Sequence, residues 1–222
     1  MFLVAAIVLS QAQAYASDER GLSAYRYTDH PQRAATGRVL PIFIDRDFSA
    51  AEYERVVLAI KQWNHVLNGF LQMRPQNLPD NPSVATLSQI RRSGGWIVAR
   101  VDSRHPVARQ PQAARALALT AGGNGGFIYV ISDRFALGDL TGVMMHEFGH
   151  VLGAGHDPAN DGGGHLMASI YDAGNGRCID RSAVAMVAMA QRLPLTQLNW
   201  CVGPGLDSRP NSRTNPREAR AR

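Results

Sequence analysis

Apolar residues recur at helical spacing in one stretch of the chain, and they predict its first long helix. Between Ser49 and Gly69 they fall at i, i+3 and i+4 intervals, as they do on one face of a helix. Ser49 and Glu52 have the spacing of a capping box, and Gly69 is a typical residue at a helix end. The apolar stripe of this predicted helix comprises Tyr53, Val56, Val57, Ile60, Trp63 and Leu67.

Short β-rich runs predict the strands of a sheet. They are 39–45 (VLPIFID), 96–101 (WIVARV) and 127–132 (FIYVIS), the last of which is nearly all apolar, as in an interior strand. Residues 114–120 (ARALALT) fit either a strand or a turn of buried helix. Residues 74–95 contain three prolines and a Gly-Gly pair, so they predict a loop with little regular structure.

Two further helices are predicted in the second half of the chain. The first ends by Gly153, and the second covers roughly 181–192 and stops before a proline. Their candidate N-caps are Asp139 or Thr141 for the first helix and Asp180 or Ser182 for the second. The order of strand, helix, strands, helix and helix predicts an α+β fold, or an α/β fold with a mixed sheet.

The beginning of the chain has the pattern of an export signal. An apolar stretch, 2–9, is followed by two A-x-A sites between Ala12 and Ala16. This pattern predicts a signal peptide over 1–16, although the preceding region has no Lys or Arg. The alternative is a buried first strand or helix.

The rest of the chain divides into a polar extension at 17–38, a folded domain at 39–206 and a basic tail at 207–222. The tail carries five arginines against two acidic residues, which accounts for +3 of the net charge of +5. Its composition predicts disorder, and no base-reading motif accompanies the arginines, so nucleic acid is not expected as a partner. No apolar run approaches the ~20 residues of a membrane span, so none is expected after signal removal.

The chain has two cysteines, Cys178 and Cys201. An even count behind a signal peptide predicts one disulfide, and with it a secreted or periplasmic protein. The loop that this bond closes would contribute roughly 3 kcal/mol of stability. Two free thiols in a cytosolic protein are the alternative.

The stretch HEFGHVLGAGH at 146–156 holds three of the seven histidines. In a helix, His146 and His150 lie on one face, and Gly153 lets the chain turn so that His156 becomes a third ligand. Three imidazoles with an open fourth position describe a catalytic zinc site. In a chain of this composition the full motif arises by chance about once in 10⁵ sequences.

Glu147 stands beside this predicted zinc site without being a ligand. A zinc ion lowers the pKa of bound water to about 7, and Glu147 would take the proton and pass it to the leaving amine. The predicted function is therefore a secreted zinc endopeptidase. The alternatives are a catalytically silent, zinc-stabilised binding or surface module and a cytosolic regulatory peptidase.

The stretch resembles the zinc-binding signature of the metzincin metallopeptidases, which also carry a methionine turn below the metal. Met167 is its counterpart here. Gly149 and Tyr171 resemble the matrixin pattern, in which Tyr171 would line the substrate pocket, whereas Ser169 stands where matrixins tend to have Pro. The resemblance implies a metzincin-like, matrixin-like domain with a mixed twisted sheet, an active-site helix and a C-terminal helix.

The resemblance also implies a polypeptide substrate that binds an edge strand, for which 114–120 is the candidate. No cysteine precedes the histidines, so the cysteine-switch latency of matrixins is not expected, and the enzyme is expected either to be made active or to be blocked by a separate protein inhibitor. The protein is expected to be a monomer. Asp157, Asn160 and Asp161 are calcium candidates, and Asx turns explain them equally well. His165 is either part of the substrate cleft or a surface residue.

Overall fold

The structure, a computed structural model, describes residues 3–9, 26–31, 33, 37–157, 165–171 and 178–202, the first of these ranges by its backbone alone. Several features predicted from the sequence lie outside these residues. They are the A-x-A cleavage sites, most of the 17–38 extension, the basic tail at 207–222, and Asn160 and Asp161.

Seven of the nine strands in the described residues form one mixed sheet. They are β1 (Leu3–Leu9), β3 (Arg38–Ile44), β4 (Leu71–Asn77), β5 (Trp96–Val101), β6 (Ala116–Gly123), β7 (Gly125–Ile131) and β8 (Ile170–Tyr171), in the order β4-β3-β5-β7-β6-β1-β8. Strands β4, β3, β5 and β7 are parallel, and β6 is antiparallel to β7. A separate antiparallel pair joins β2 (Arg26–Tyr27) to β9 (Cys201–Val202).

Four α-helices complete the described fold: α1 (Ala50–Leu67), α2 (Val84–Arg92), α3 (Leu140–Val151) and α4 (Arg181–Gln191). The α+β class with a mixed sheet is therefore confirmed. So are the three predicted strand runs, and residues 114–120 contribute to a strand rather than a helix.

The prediction of a loop at 74–95 is wrong, because this stretch contains the end of β4 and all of α2. Among the described strands β4 pairs only with β3, so it is an edge strand, and an edge tolerates the missing N–H of Pro75. Ser83 caps α2 by accepting a hydrogen bond from the Thr86 backbone N–H at 3.1 Å. Pro75 thus lies in an edge strand, and the other two prolines precede the N-cap of α2.

Helix α1 begins as the sequence predicts. The Glu52 N–H donates to the Ser49 hydroxyl at 3.3 Å, and the Ser49 N–H donates to Glu52 Oε2 at 2.8 Å, which completes the capping box. The end differs by one residue, because Asn68 takes the left-handed conformation with φ 46° and Gly69 follows it with φ 82°.

The two faces of the sheet carry different helices because strand side chains alternate. Ile42 and Ile44 of β3 point into the main core, which also contains buried residues of α1, α3 and α4. Phe43, between them, packs on the opposite face with Ile90 of α2. Helix α3 is thus held between the sheet and α1, and it packs against β6.

The N-terminal stretch forms strand β1 in the full chain. Its backbone pairs antiparallel with β6, from Leu3 opposite Gly122 to Val8 opposite Ala116, and parallel with β8. This matches the strand alternative for residues 3–9, and removal of residues 1–16 on export stays a prediction.

The predicted disulfide is confirmed. Cys178 and Cys201 are bonded, with their Cα atoms 5.9 Å apart, and they flank α4. The Cys201 N–H also donates to the Ile179 carbonyl at 2.9 Å, so the bond fixes β9 beside the start of α4. None of the helices in the described part of the chain is long and apolar enough to span a bilayer.

Candidate metal centre

Helix α3 brings two of the three motif histidines into the interior. Eleven of its twelve residues are buried, and His146 and His150 lie one turn apart on the same face. The helix starts at Leu140 after Asp139, as expected, but the Asp139 side chain makes no capping bond to it. Packing against α1 and β6 therefore stabilises this helix more than its own ends do.

Gly153 turns the chain after α3 so that His156 returns to the other two histidines. Its φ is 94°, a conformation that a residue with a side chain rarely adopts, and an added Cβ would lie 2.8 Å from the Ala190 Cβ. The Ala154 N–H donates to the Gly149 carbonyl at 2.9 Å and closes the turn. One nitrogen from each imidazole then lies within 4.8 Å of the others.

Hydrogen bonds to the outer ring nitrogens determine the tautomers of the two helical histidines. His146 Nδ1 lies 2.6 Å from the Leu166 carbonyl oxygen, and His150 Nδ1 lies 2.9 Å from the Ala154 carbonyl oxygen. A carbonyl can only accept, so both Nδ1 atoms carry the proton. In the neutral rings, both Nε2 atoms therefore present lone pairs to the centre of the cluster.

The two helical imidazoles, those of His146 and His150, are held in the neutral form that binds metals. Burial lowers the pKa of His146 well below its usual value and lowers the pKa of His150 to about 4. The Nε2 atom of His146 lies 2.9 Å from that of His150 and 3.3 Å from that of His156. Lone pairs so close repel one another unless a cation lies between them, so the three histidines form a site that fits a metal ion.

Glu147 lies inside the protein beside this cluster. Its side chain is fully buried, and its Oε2 accepts a hydrogen bond from the Thr120 hydroxyl on β6. Its Oε1 is buried without a hydrogen-bond partner among the described residues. Burial raises the pKa of Glu147 to about 8, against a smaller lowering by the Thr120 hydrogen bond. An isolated buried carboxyl is costly, and a nearby cation would reverse this penalty.

Met167 lies directly against the helix that carries the histidines. Its side chain is fully buried, and a Cβ added to Gly149 would come within 2.5 Å of its sulfur. Only glycine is small enough at position 149, between the two histidines in the sequence, to let Met167 approach the helix this closely. Met167 therefore packs against the helix that carries two of the histidines, and its role in a methionine turn stays a prediction.

Asp180 supports the cluster from α4. Its carboxylate caps α4 by accepting from the Ser182 and Ala183 N–H groups, and its Oδ2 accepts from the Leu166 N–H at 2.7 Å. The Leu166 carbonyl in turn accepts from His146. Asp180 therefore orients an imidazole through one intervening residue, as outer-shell groups of metal sites do.

His165 belongs to this supporting network. Its Nδ1 lies 3.7 Å from Asp180 Oδ1, and hydrogen bonding to that carboxylate raises the pKa of His165. Burial alone would raise the pKa of Asp180, but hydrogen bonds from His165, Ser182 and backbone N–H groups lower it to about 2.

Tyr171 lies in β8, next to β1. Its hydroxyl donates to the Asp139 carbonyl at 3.3 Å, and its half-buried ring packs against Leu117 and Val143. Its substrate-pocket role stays a prediction. The Asp157 N–H donates to the Met167 carbonyl at 2.9 Å, and the calcium prediction stays open because Asn160 and Asp161 lie outside the described residues.

Two contributors were not identified from the sequence. Thr120 is the one polar residue in the apolar run ALALTA, and that isolated hydroxyl was the available signal. Asp180 was predicted only as a helix cap, because nothing in the sequence places Leu166 next to it.

Comparison with known proteins adds no relative. No family model matches the chain, and no curated protein matches it either. The three histidines and the fold around them are therefore the basis for any assignment.

Proposed function

We propose that the protein is a zinc-dependent endopeptidase of the metzincin type. The observation that supports this most directly is the convergence of three imidazole nitrogens beside a buried carboxylate, Glu147, one oxygen of which has no hydrogen-bond partner among the described residues. The HExxHxxGxxH pattern at 146–156 and the buried Met167 also support a metzincin, and the matrixin likeness rests on Gly149 and Tyr171.

The donor set fits zinc. His146 Nε2 lies 2.9 Å from His150 Nε2 and 3.3 Å from His156 Nε2, and all three donor nitrogens lie within 4.8 Å of one another, close enough to hold one zinc ion between them. Three neutral imidazoles also suit other transition metals. Zinc is favoured because a three-histidine set beside a carboxylate suits hydrolysis.

Glu147 would carry the proton in this reaction. The chemistry that zinc supplies when bound is the acidification of water and the stabilisation of negative charge on a peptide carbonyl oxygen. Glu147 Oε1, which has no other described partner, would accept a proton from the attacking water and deliver it to the leaving amine. Burial keeps His146 and His150 neutral by lowering their pKa values, and the carbonyls that accept from their Nδ1 protons leave both Nε2 lone pairs for a metal ion.

The sheet edge beside the cluster suits an extended polypeptide. In the full chain β1 occupies this edge, antiparallel to β6 and parallel to β8, so a backbone fits between these two strands. A substrate would add to β6 in the same way once residues 1–16 are removed on export. Export agrees with the Cys178–Cys201 disulfide, which persists in oxidising compartments.

A shortened chain tests this part of the proposal. A protein that begins at Ser17 should cleave a denatured protein mixture faster than the full chain, because β6 then lacks its intramolecular partner. The measurement is the initial rate at equal zinc content. A shortened, folded chain with the rate of the full chain would contradict strand addition at β6.

The central test compares the wild type with Glu147→Ala. Both should bind one zinc ion per chain, and the variant should cleave the mixture at least about 10²-fold more slowly, which is the lower end of general-base contributions. If both proteins hold zinc and neither cleaves any protein, the binding or surface module becomes the better assignment.

A further inference from the structure

We propose that Thr120 is a positioning residue that holds the Glu147 carboxylate in its proton-accepting orientation. The inference rests on the proposed function, because it assigns a role within that reaction. Thr120 lies on β6, the strand at the candidate substrate edge, and its hydroxyl donates to Glu147 Oε2.

The contact is between two buried groups. Thr120 is 4% exposed and Glu147 0%, so the bond lies in the protein interior, where a hydrogen bond is electrostatically stronger than in water. The Thr120 oxygen also lies 3.5 Å from the Glu147 backbone carbonyl, which places it against the helix at this residue. A hydroxyl forms a stronger hydrogen bond with a carboxylate oxygen than with a neutral carbonyl oxygen. The Thr120 hydroxyl therefore donates to Glu147 Oε2 rather than to the Glu147 backbone carbonyl.

The hydrogen bond from Thr120 to one carboxylate oxygen of Glu147 determines which oxygen is left to accept a proton. A carboxylate has two oxygens, and rotation about its last bond interchanges them. With Oε2 held by Thr120, Oε1 is the oxygen left for a proton from water, and it has no partner among the described residues. The β-branched side chain of threonine has few rotamers, so its hydroxyl direction is itself restricted.

Thr120 also joins two parts of the site. Its backbone is in register with Ala5 of β1 on one side and Ile128 of β7 on the other. The residue that orients the proton carrier thus lies within the strand that would pair with substrate. Binding at that edge and orientation of Glu147 are therefore set by the same element.

The test uses Thr120→Val, which keeps the shape and removes the hydroxyl, and Thr120→Ser, which keeps the hydroxyl. Thr120→Val should lower kcat about tenfold or more with little change in KM or zinc affinity, as the loss of one hydrogen bond to a charged group implies. Thr120→Ser should recover most of kcat. The matched control is Thr141→Val, a buried threonine of α3 whose hydroxyl donates to the Arg55 carbonyl at 3.4 Å, and it should keep the wild-type kcat.

A second measurement does not depend on activity. Thr120→Val should change the melting temperature of the zinc-loaded protein in the wild-type background more than in the Glu147→Ala background, because only the former has the bond to lose. An equal change in melting temperature in both backgrounds would show that Thr120 and Glu147 do not interact, and it would overturn the proposal.

The two proposals fail in different ways. If the wild type and Thr141→Val cleave and Thr120→Val cleaves with the same kcat, the role of Thr120 is wrong and the peptidase proposal stands. If the wild type cleaves nothing, the peptidase proposal fails, and with it the positioning of a proton carrier.

Discussion

Helices α1 and α3 pack against each other in one core, yet they differ in the fraction of their residues that is buried and in the capping of their first turn. α1 has a capping box, six buried residues out of eighteen and an exposed polar face. α3 has eleven buried residues out of twelve and no side-chain cap. The indole N–H of Trp63 on α1 donates to the Met145 carbonyl of α3 at 2.8 Å, so the amphipathic helix supports the buried one.

The two helices also differ in the polar groups that they bury. The charged side chains of Glu54 and Lys61 on α1 are exposed, where they cost little, whereas α3 buries two imidazoles and a carboxylate, which is unfavourable unless specific partners offset it. Those partners come from other elements: the carbonyls of Leu166 and Ala154 and the hydroxyl of Thr120. Buried titratable groups with strongly shifted pKa values cluster at functional sites, which is the reason for proposing one here.

The largest expected effect comes from removing a ligand. His156→Ala should weaken zinc binding by more than about 100-fold, which exceeds the range for outer-shell partners. Competition with a chelator of known affinity measures it. The matched change on α1, His65→Ala, removes an exposed histidine that contacts Tyr27 edge-on and should leave zinc affinity unchanged. Equal affinities for the two variants would contradict the distinction between the helices.

A smaller effect is expected for acid stability. The pKa of Asp180 is lowered from 3.8 to about 2, so its contribution is present above pH 4 and is lost as the pH falls through 2. That contribution is roughly 2 kcal/mol, and His165, whose pKa is raised, stays protonated across this window.

Urea unfolding at pH 5, 3 and 2 tests the Asp180 contribution. Asp180→Asn should lose less stability between pH 5 and pH 2 than the wild type does. The exposed control, Asp47→Asn, should follow the wild-type slope. If the free energy of unfolding of Asp180→Asn falls with pH as steeply as that of the wild type, the Asp180 carboxylate does not account for the acid sensitivity.

The smallest effect is expected at the start of α1. Ser49→Ala should lower the free energy of unfolding by about 1 kcal/mol, because it removes the hydroxyl that accepts the hydrogen bond from the Glu52 N–H. For a chain of this size that is a fall of about 2–4 °C in melting temperature. Glu54→Ala on the exposed face of α1 is the control. Zinc affinity should not change in either variant, and a change would mean that α1 is part of the site.

Local patterns were sufficient to predict α1, α4, the main strands and the histidine cluster. Each of these depends on spacing along the chain, such as i, i+4 for His146 and His150. The stretch at 74–95 was predicted wrongly because Pro75 breaks a strand only in the interior of a sheet, and edge position is a property of the whole fold. Thr120 and the second role of Asp180 depend on contacts between distant elements, which spacing does not encode.

The central claim is that the three-histidine site performs hydrolysis with Glu147 as the proton carrier. The most direct test is the kcat of Glu147→Gln against the wild type at equal zinc occupancy, because glutamine keeps the shape and can still accept from Thr120 but cannot take up a proton. A fall of at least about 10²-fold with unchanged zinc affinity is the predicted result. Cleavage by Glu147→Gln at the wild-type rate would contradict the mechanism.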